Sequence, residues 1–165
     1  MMFRLLLFLL LSNILFSQKG WIKTYGADEI DGGNHVLKLD SGYLITGFTQ
    51  SFGNGGNDLW IIRTDKNRKE LWHRFYGGMS METGYEAIKT KDNGFIILAQ
   101  TYSKGAGLSD IWIVKIDSSG NLLWDKTIGG ERVDVGYDIC KSNDGGYVIA
   151  GMTVSAKTNS PDAYI

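Results

Sequence analysis

Hydrophobic and polar positions along this chain recur with a strand period, and the same order of strands returns at a fixed interval. Trp21–Tyr25, Trp72–Tyr76 and Trp124–Ile128 alternate large apolar and polar residues, as strands with one wet face do. Each is followed by a glycine and then by an acid-x-Gly step: Asp31-Gly-Gly33, Glu82-Thr-Gly84 and Asp134-Val-Gly136. Short strands are predicted next over 34–39, 85–90 and 137–142. They end in Asp40-Ser-Gly42, Asp92-Asn-Gly94 and Asp144-Gly-Gly146, where Asp, Asn and Gly supply hairpin turns. The arms that follow, 43–49, 95–101 and 147–153, are apolar on both faces and call for cover on both sides. Gly47, Ala99 and Gly151 keep one position small, which predicts close approach by a neighbouring sheet.

A loop then leads from Ser51, Ser103 or Ser155 to Asp58, Asp110 or Asp162. Asp58-Leu-Trp-Ile-Ile62 and Asp110-Ile-Trp-Ile-Val114 are again apolar on both faces, and Asp162-Ala-Tyr-Ile165 begins a third copy. A turn at Asp65 or Asp117 brings the chain back to Trp72 or Trp124. A period of about 50 residues marks a repeat architecture. The repeats run over about 21–71, 72–123 and 124–165, the last incomplete. Outside the N-terminus no stretch has helical spacing. Four short antiparallel strands per repeat, apolar on both faces, must stack on copies of themselves, which is how β-propeller blades are built. The expected fold is all-β, with about three propeller-type blades in an open or truncated ring. Trp21–Tyr25 reads as an orphan strand, the clasp of a ring or loose beside its neighbour. The uncovered faces of such a stack favour self-association or a continuation of the chain.

The unit Trp-x-Lys-Thr-x-Gly-Gly, Asp-Gly-Gly-Tyr-x-Ile-x-Gly-x-Thr and Asp-x-Trp-Ile-x-Lys-x-Asp-x-x-Gly-x-x-x-Trp resembles secreted bacterial β-propeller-like repeat proteins. These are common in Gram-negative bacteria that export through the type IX system. The resemblance spans residues 21–165 and implies an exported propeller without assigning an activity. Asp117-x-x-Gly120-x-x-x-Trp124 is also similar to the tryptophan-docking motif of quinoprotein dehydrogenases. It is one residue shorter between Asp and Gly, and shared blade mechanics account for it.

The N-terminus changes the picture of where such a module works. Arg4 is followed by the apolar run Leu5–Leu11 and by small residues around Ser17, the pattern of a secretory signal peptide over 1–17. Cleavage is expected near Ser17-Gln18, leaving a domain over 18–165 that is secreted, at the cell surface or in the periplasm. The apolar run is too short for a membrane span. A net charge of −1 with scattered Lys and Arg gives no footprint for nucleic acid. Cys140 is the single cysteine, so no internal disulfide forms. Its repeat equivalents Leu37 and Ile88 predict a small buried hydrophobe.

Candidate chemistry is sparse. Asp58, Asp110 and Asp162 open a strand after a loop, and such acids accept backbone N–H bonds and pin the loop more often than they bind calcium. Asp31, Glu82 and Asp134 repeat once per unit, whereas a glycosidase pair must face across one bond. His35 and His73 occupy non-equivalent positions without further ligands, so no metal or cofactor site is expected. Trp60, Trp112, Trp72 and Trp124 read as core between blades. Phe52 and Tyr102, which are not repeat equivalents, and Tyr85 lie in or beside loops, where a scaffold of this kind carries specificity. The expected role is a non-enzymatic binding or surface-interaction module for a protein or glycan. The alternative is a carbohydrate-binding or glycoside hydrolase-like secreted protein.

Overall fold

The computed structural model describes residues 20–154 and 162–164. The signal segment, Ser155–Ser160, Pro161 and Ile165 lie outside the described residues. Eleven strands form three antiparallel sheets. Sheet 1 is β1 (Asp31–Leu39), β2 (Gly42–Thr49), β3 (Asp58–Thr64) and β4 (Glu70–Tyr76), in that order. Sheet 2 repeats it with β5 (Glu82–Lys89), β6 (Phe95–Thr101), β7 (Asp110–Ile116) and β8 (Leu122–Ile128). Sheet 3 holds β9 (Asp134–Lys141), β10 (Tyr147–Thr153) and β11 (Asp162–Tyr164), with β11 at its edge. Among the described residues there is no helix, and so none that could cross a membrane. The fold is all-β, an open stack of propeller-type blades.

The sheets are cut one strand out of step with the repeat. Tight turns at Asp65 and Asp117 tie each Trp-bearing strand to the strand before it, so Trp72 closes sheet 1 and Trp124 closes sheet 2. Those turns place Arg68 and Gly120 at positive φ, 66° and 80°. The strands that open each sheet start three residues earlier than the sequence suggests. The acid-x-Gly steps are ladder residues, not turns, and each ends in a β-bulge: Gly33/His35, Gly84/Glu86 and, opposite Ala150/Gly151, Gly136/Asp138. The bulge also explains the small residue on the second strand. A Cβ at Gly47 would meet the Gly32 carbonyl oxygen at 1.9 Å, and at Gly151 the Val135 oxygen at 2.2 Å. The close approach is by the bulged strand of the same sheet, and not by a neighbouring sheet.

Two cores lie between the sheets. Leu44, Leu59 and Ile61 of sheet 1 meet Phe95, Ile97, Trp112, Val114 and Ile116 of sheet 2. On the opposite face of sheet 2, Ile96, Leu98, Ile111 and Ile113 meet Ile139 and Ile149 of sheet 3. Every residue of β3, β6 and β7 is buried, as the two-faced pattern demands. β10 carries the same pattern yet has no buried residue and three exposed ones, since among the described residues nothing covers the far face of sheet 3. Cys140 is exposed for the same reason, contrary to the expectation of a buried thiol. Leu37 and Ile88 are packed against a following sheet, and among the described residues Cys140 has none.

Trp21–Tyr25 is not a strand. A strand needs a ladder partner, and among the described residues no β3-type strand lies beside this segment. It rests on sheet 1 by its side chains instead. Tyr25 donates its hydroxyl to the Arg68 carbonyl at 2.7 Å, and the Arg68 guanidinium lies 4.1 Å from the Trp21 ring centre.

Candidate functional site

One end of the stack gathers the starts of β1, β5 and β9, the ends of the strands paired to them, and loops 50–57 and 102–109. Its framework is a set of carboxylates. Glu82 accepts Thr101 Oγ1 at 2.8 Å and the Gly78 N–H at 2.7 Å. Asp31 accepts Thr49 Oγ1, Ser51 Oγ at 2.7 Å and the Ala27 N–H at 3.0 Å, and Asp134 accepts the Gly130 N–H at 2.9 Å. Asp58 accepts the Asn54 N–H at 3.0 Å and Asp110 the Gly107 N–H at 3.3 Å, which pins the loops before them. Ser51 and the Ser103 N–H bind the acids that open the sheets, Asp31 and Glu82, rather than Asp58 and Asp110. Asp162 opens β11 opposite Thr153.

Pairs of these acids converge across the boundary between sheets. A Cβ on Gly77 would meet Asp58 Oδ1 at 2.0 Å and Glu82 Oε2 at 2.5 Å. One on Gly129 would meet Asp110 Oδ1 at 2.2 Å and Asp134 Oδ2 at 2.7 Å. Burial, with Glu82 nearby, pushes the Asp58 carboxyl above its usual range, against the Asn54 N–H bond. Hydrogen bonds from Thr49 and Ser51 outweigh burial at Asp31 and hold it below that range. Among the described residues no three His, Cys, Asp or Glu side chains cluster as a metal site would require. The bonds made by these acids close loops onto sheets.

The tryptophans divide into two kinds. Trp60 and Trp112 on the third strands are core, Trp112 being 1% exposed. Trp72 is partly buried against the turn at Gly120, while Trp124 is 47% exposed and not core. Among the described residues no equivalent turn lies against Trp124.

Phe52 and Tyr102 prove to be different in kind. Phe52 is half-buried, stacked on His73 at 5.0 Å and beside Phe75 and Trp60 at 6.3 and 6.0 Å. Its repeat equivalent Lys104 sits 4.6 Å from the Trp112 ring centre and pairs with Asp125 at 2.7 Å, and Asp125 also accepts Trp112 Nε1 at 2.7 Å. His73 replaces Asp125 in sheet 1, and Trp60 Nε1 is left buried without a partner. Phe52 is thus part of the support of sheet 1. Tyr102 is 42% exposed. Its N–H is bonded to the Met81 carbonyl at 2.9 Å, and Ile30, Met79, Met81 and Leu108 are exposed at the same end.

Tyr85 belongs to β5, not to a loop, and donates to Gln100 Oε1 at 2.9 Å, with Gln100 Nε2 bonded to Ser109. Burial pushes the Tyr85 phenol up, and the nearby Tyr102 and Tyr137 hydroxyls add to it. Tyr137, which the sequence reading left out, holds the place in β9 that Tyr85 holds in β5. The signal was the bulge position itself, where Asn34, Tyr85 and Tyr137 are repeat equivalents. Glu86 and Asp138 follow them: Glu86 accepts the Ile139 N–H at 3.1 Å, and burial with Asp138 close by raises its pKa. In comparison with known proteins, no family model matches the chain and no curated protein does.

Proposed function

We propose that this chain is an exported binding module that presents its loop end to a protein or glycan at the cell surface or outside the cell. The observation that carries the reading is Tyr102: an exposed aromatic where the first repeat has Gln50, bonded through its N–H to exposed Met81, with Leu108 exposed at the same end. Aromatic and methionine side chains on a rigid frame give large, adaptable contact area at low entropic cost. The acids beneath them are engaged in loop closure, which supports binding rather than catalysis. The signal-type N-terminus and the resemblance to secreted repeat proteins support export.

A photo-crosslinking residue at position 102 tests this in the cell-surface or secreted fraction, with position 66, in the turn at the opposite end, as control. Crosslinks at 102 and not at 66 are expected. Equal crosslinking at both positions, or none at 102, refutes the loop end as the binding face.

A carbohydrate ligand is the second reading, supported by exposed Tyr102 and Tyr137 and by the Tyr85 hydroxyl bonded to the Gln100 amide. Aromatic faces with polar tips suit sugar rings. On a glycan array, saturable binding that Tyr102→Ala abolishes selects this reading, and reducing-sugar release would select a hydrolase. Unchanged binding by Tyr102→Ala rejects it.

A further inference from the structure

Sheets 1 and 2 each bury a cation on the third strand, Arg63 in β3 and Lys115 in β7, at 8% and 7% exposure. The two are repeat equivalents, yet they are neutralised differently. Lys115 Nζ bonds Asp92 Oδ1 at 2.8 Å and Thr90 Oγ1 at 2.6 Å. Arg63 donates to the Tyr43 carbonyl at 3.1 Å, to the Thr64 carbonyl and to Ser41 Oγ at 2.6 Å, and no described carboxylate pairs with it. The hairpins explain the difference. β5 and β6 turn on Lys91-Asp92-Asn93, inside the bond from Thr90 N–H to the Gly94 carbonyl, and Asp92 reaches the cation. β1 and β2 turn on Asp40-Ser41, inside the Leu39↔Gly42 pair, and the shorter turn brings Ser41 to the cation instead of the acid.

A buried cation without a carboxylate is unfavourable, and burial works against the charge of Arg63. A guanidinium nonetheless stays protonated and offers five N–H donors in a planar fork. The three bonds of Arg63 leave its Nε–H and one Nη2 hydrogen over. Arg63 borders a notch of about 200 Å³ at the end of the stack where β1 and β5 finish. The notch is also lined by Asp40 and Ser41 from sheet 1 and by Lys89, Asn93 and Ser118 from sheet 2. Two cations thus share it with one acid, and hydroxyl and amide groups supply further donors. Every wall of the notch comes from sheets 1 and 2.

We propose that this notch binds a phosphate group, free or as a monoester. Arg63 and Lys89 supply the charge, and Ser41, Ser118 and the Asn93 amide supply hydrogen bonds. A guanidinium fork matches the paired oxygens of a tetrahedral oxyanion. The bound anion does for Arg63 what Asp92 does for Lys115. Asp40 opposes it and keeps the affinity modest. In the equivalent place between sheets 2 and 3, Lys115 is already engaged by Asp92, so an anion gains nothing there. The notch is separate from the loop end, and phosphate binding here and partner binding at Tyr102 are independent.

The test is calorimetric titration of the purified chain, at constant ionic strength, with inorganic phosphate and with glucose 6-phosphate. Saturable binding at millimolar concentration or below is expected. Binding of both probes makes the free ion a sufficient ligand, and binding of the ester alone assigns the site to a monoester. Lys89→Glu should weaken binding about tenfold or more, and Asp40→Asn should tighten it about threefold. Both side chains are exposed, so neither change should alter the fold. Lys91→Glu makes the same change in net charge outside the notch and should leave the affinity within about twofold. Arg63→Gln should abolish binding. Should that variant unfold because the Tyr43 and Thr64 carbonyls lose their donor, the exposed variants still decide. Absence of saturable binding by both probes, an equal loss in Lys89→Glu and Lys91→Glu, or an affinity unmoved by Asp40→Asn overturns the proposal.

Discussion

Asp125→Ala separates the support of Trp112 from its packing. Asp125 Oδ2 accepts Trp112 Nε1 at 2.7 Å and Lys104 Nζ at 2.7 Å, and the indole is otherwise buried between sheets 1 and 2. Removing the carboxylate leaves a buried N–H without a partner, which costs about 1–3 kcal/mol. The Lys104 pair is part-exposed and adds at most about 1 kcal/mol. The expected loss is about 2–3 kcal/mol, or a fall in Tm of roughly 4–12 °C for a domain of this size. Asp125→Asn keeps an acceptor for the indole and should lose only about 1 kcal/mol. Urea unfolding followed by tryptophan fluorescence measures both. Hydrogen bonds from Lys104 and Trp112 outweigh burial and hold the Asp125 carboxyl below its ordinary range. Its contribution is therefore present above the unfolded value of about 3.9 and lost as pH falls through the lower folded value. Asp125→Asn should flatten that acid limb. Equal stability of the Ala and Asn variants would refute the idea that the indole bond, and not the ion pair, is what Asp125 supplies.

Two further outcomes follow from burial and from the acid corners. Trp112→Ala should cost about 3–5 kcal/mol, while the same change at half-exposed Trp124 should cost about 1 kcal/mol or less, both by urea unfolding. Asp110→Ala should loosen loop 103–109 at a cost of about 1–2 kcal/mol, and Asp110→Asn should keep most of the stability because its amide oxygen still accepts the loop N–H. Millimolar calcium that raises Tm in the wild type but not in Asp110→Asn would show a bound ion in place of the pin.

The strand pattern was legible wherever a side chain's fate depends on its own sheet. β3, β6 and β7 read as two-faced and are buried on both faces, and the Asp-x-Gly hairpins at 40–42 and 92–94 fall where their turn residues set them. The packing of Phe52 was not legible because it depends on His73, 21 positions away, which only the pairing of β3 with β4 brings to it. The reach of β5 back past Tyr85 to Glu82 was not read, since the bulge between Gly84 and Glu86 shifts the register by one residue and leaves no mark on apolar periodicity.

Local chemistry in the sequence determined the strands, the turns, the repeat and the all-β class, because alternation and turn propensity act over a few residues. The tertiary structure alone decided which sheet each Trp strand joins, and which copies of a repeated position are covered. Leu37, Ile88 and Cys140 occupy the same place in their repeats, and burial follows from the next sheet rather than from the residue. The same holds for Trp72 and Trp124. A repeat sequence specifies the faces, and the number and order of the stacked sheets determine which of them meet water.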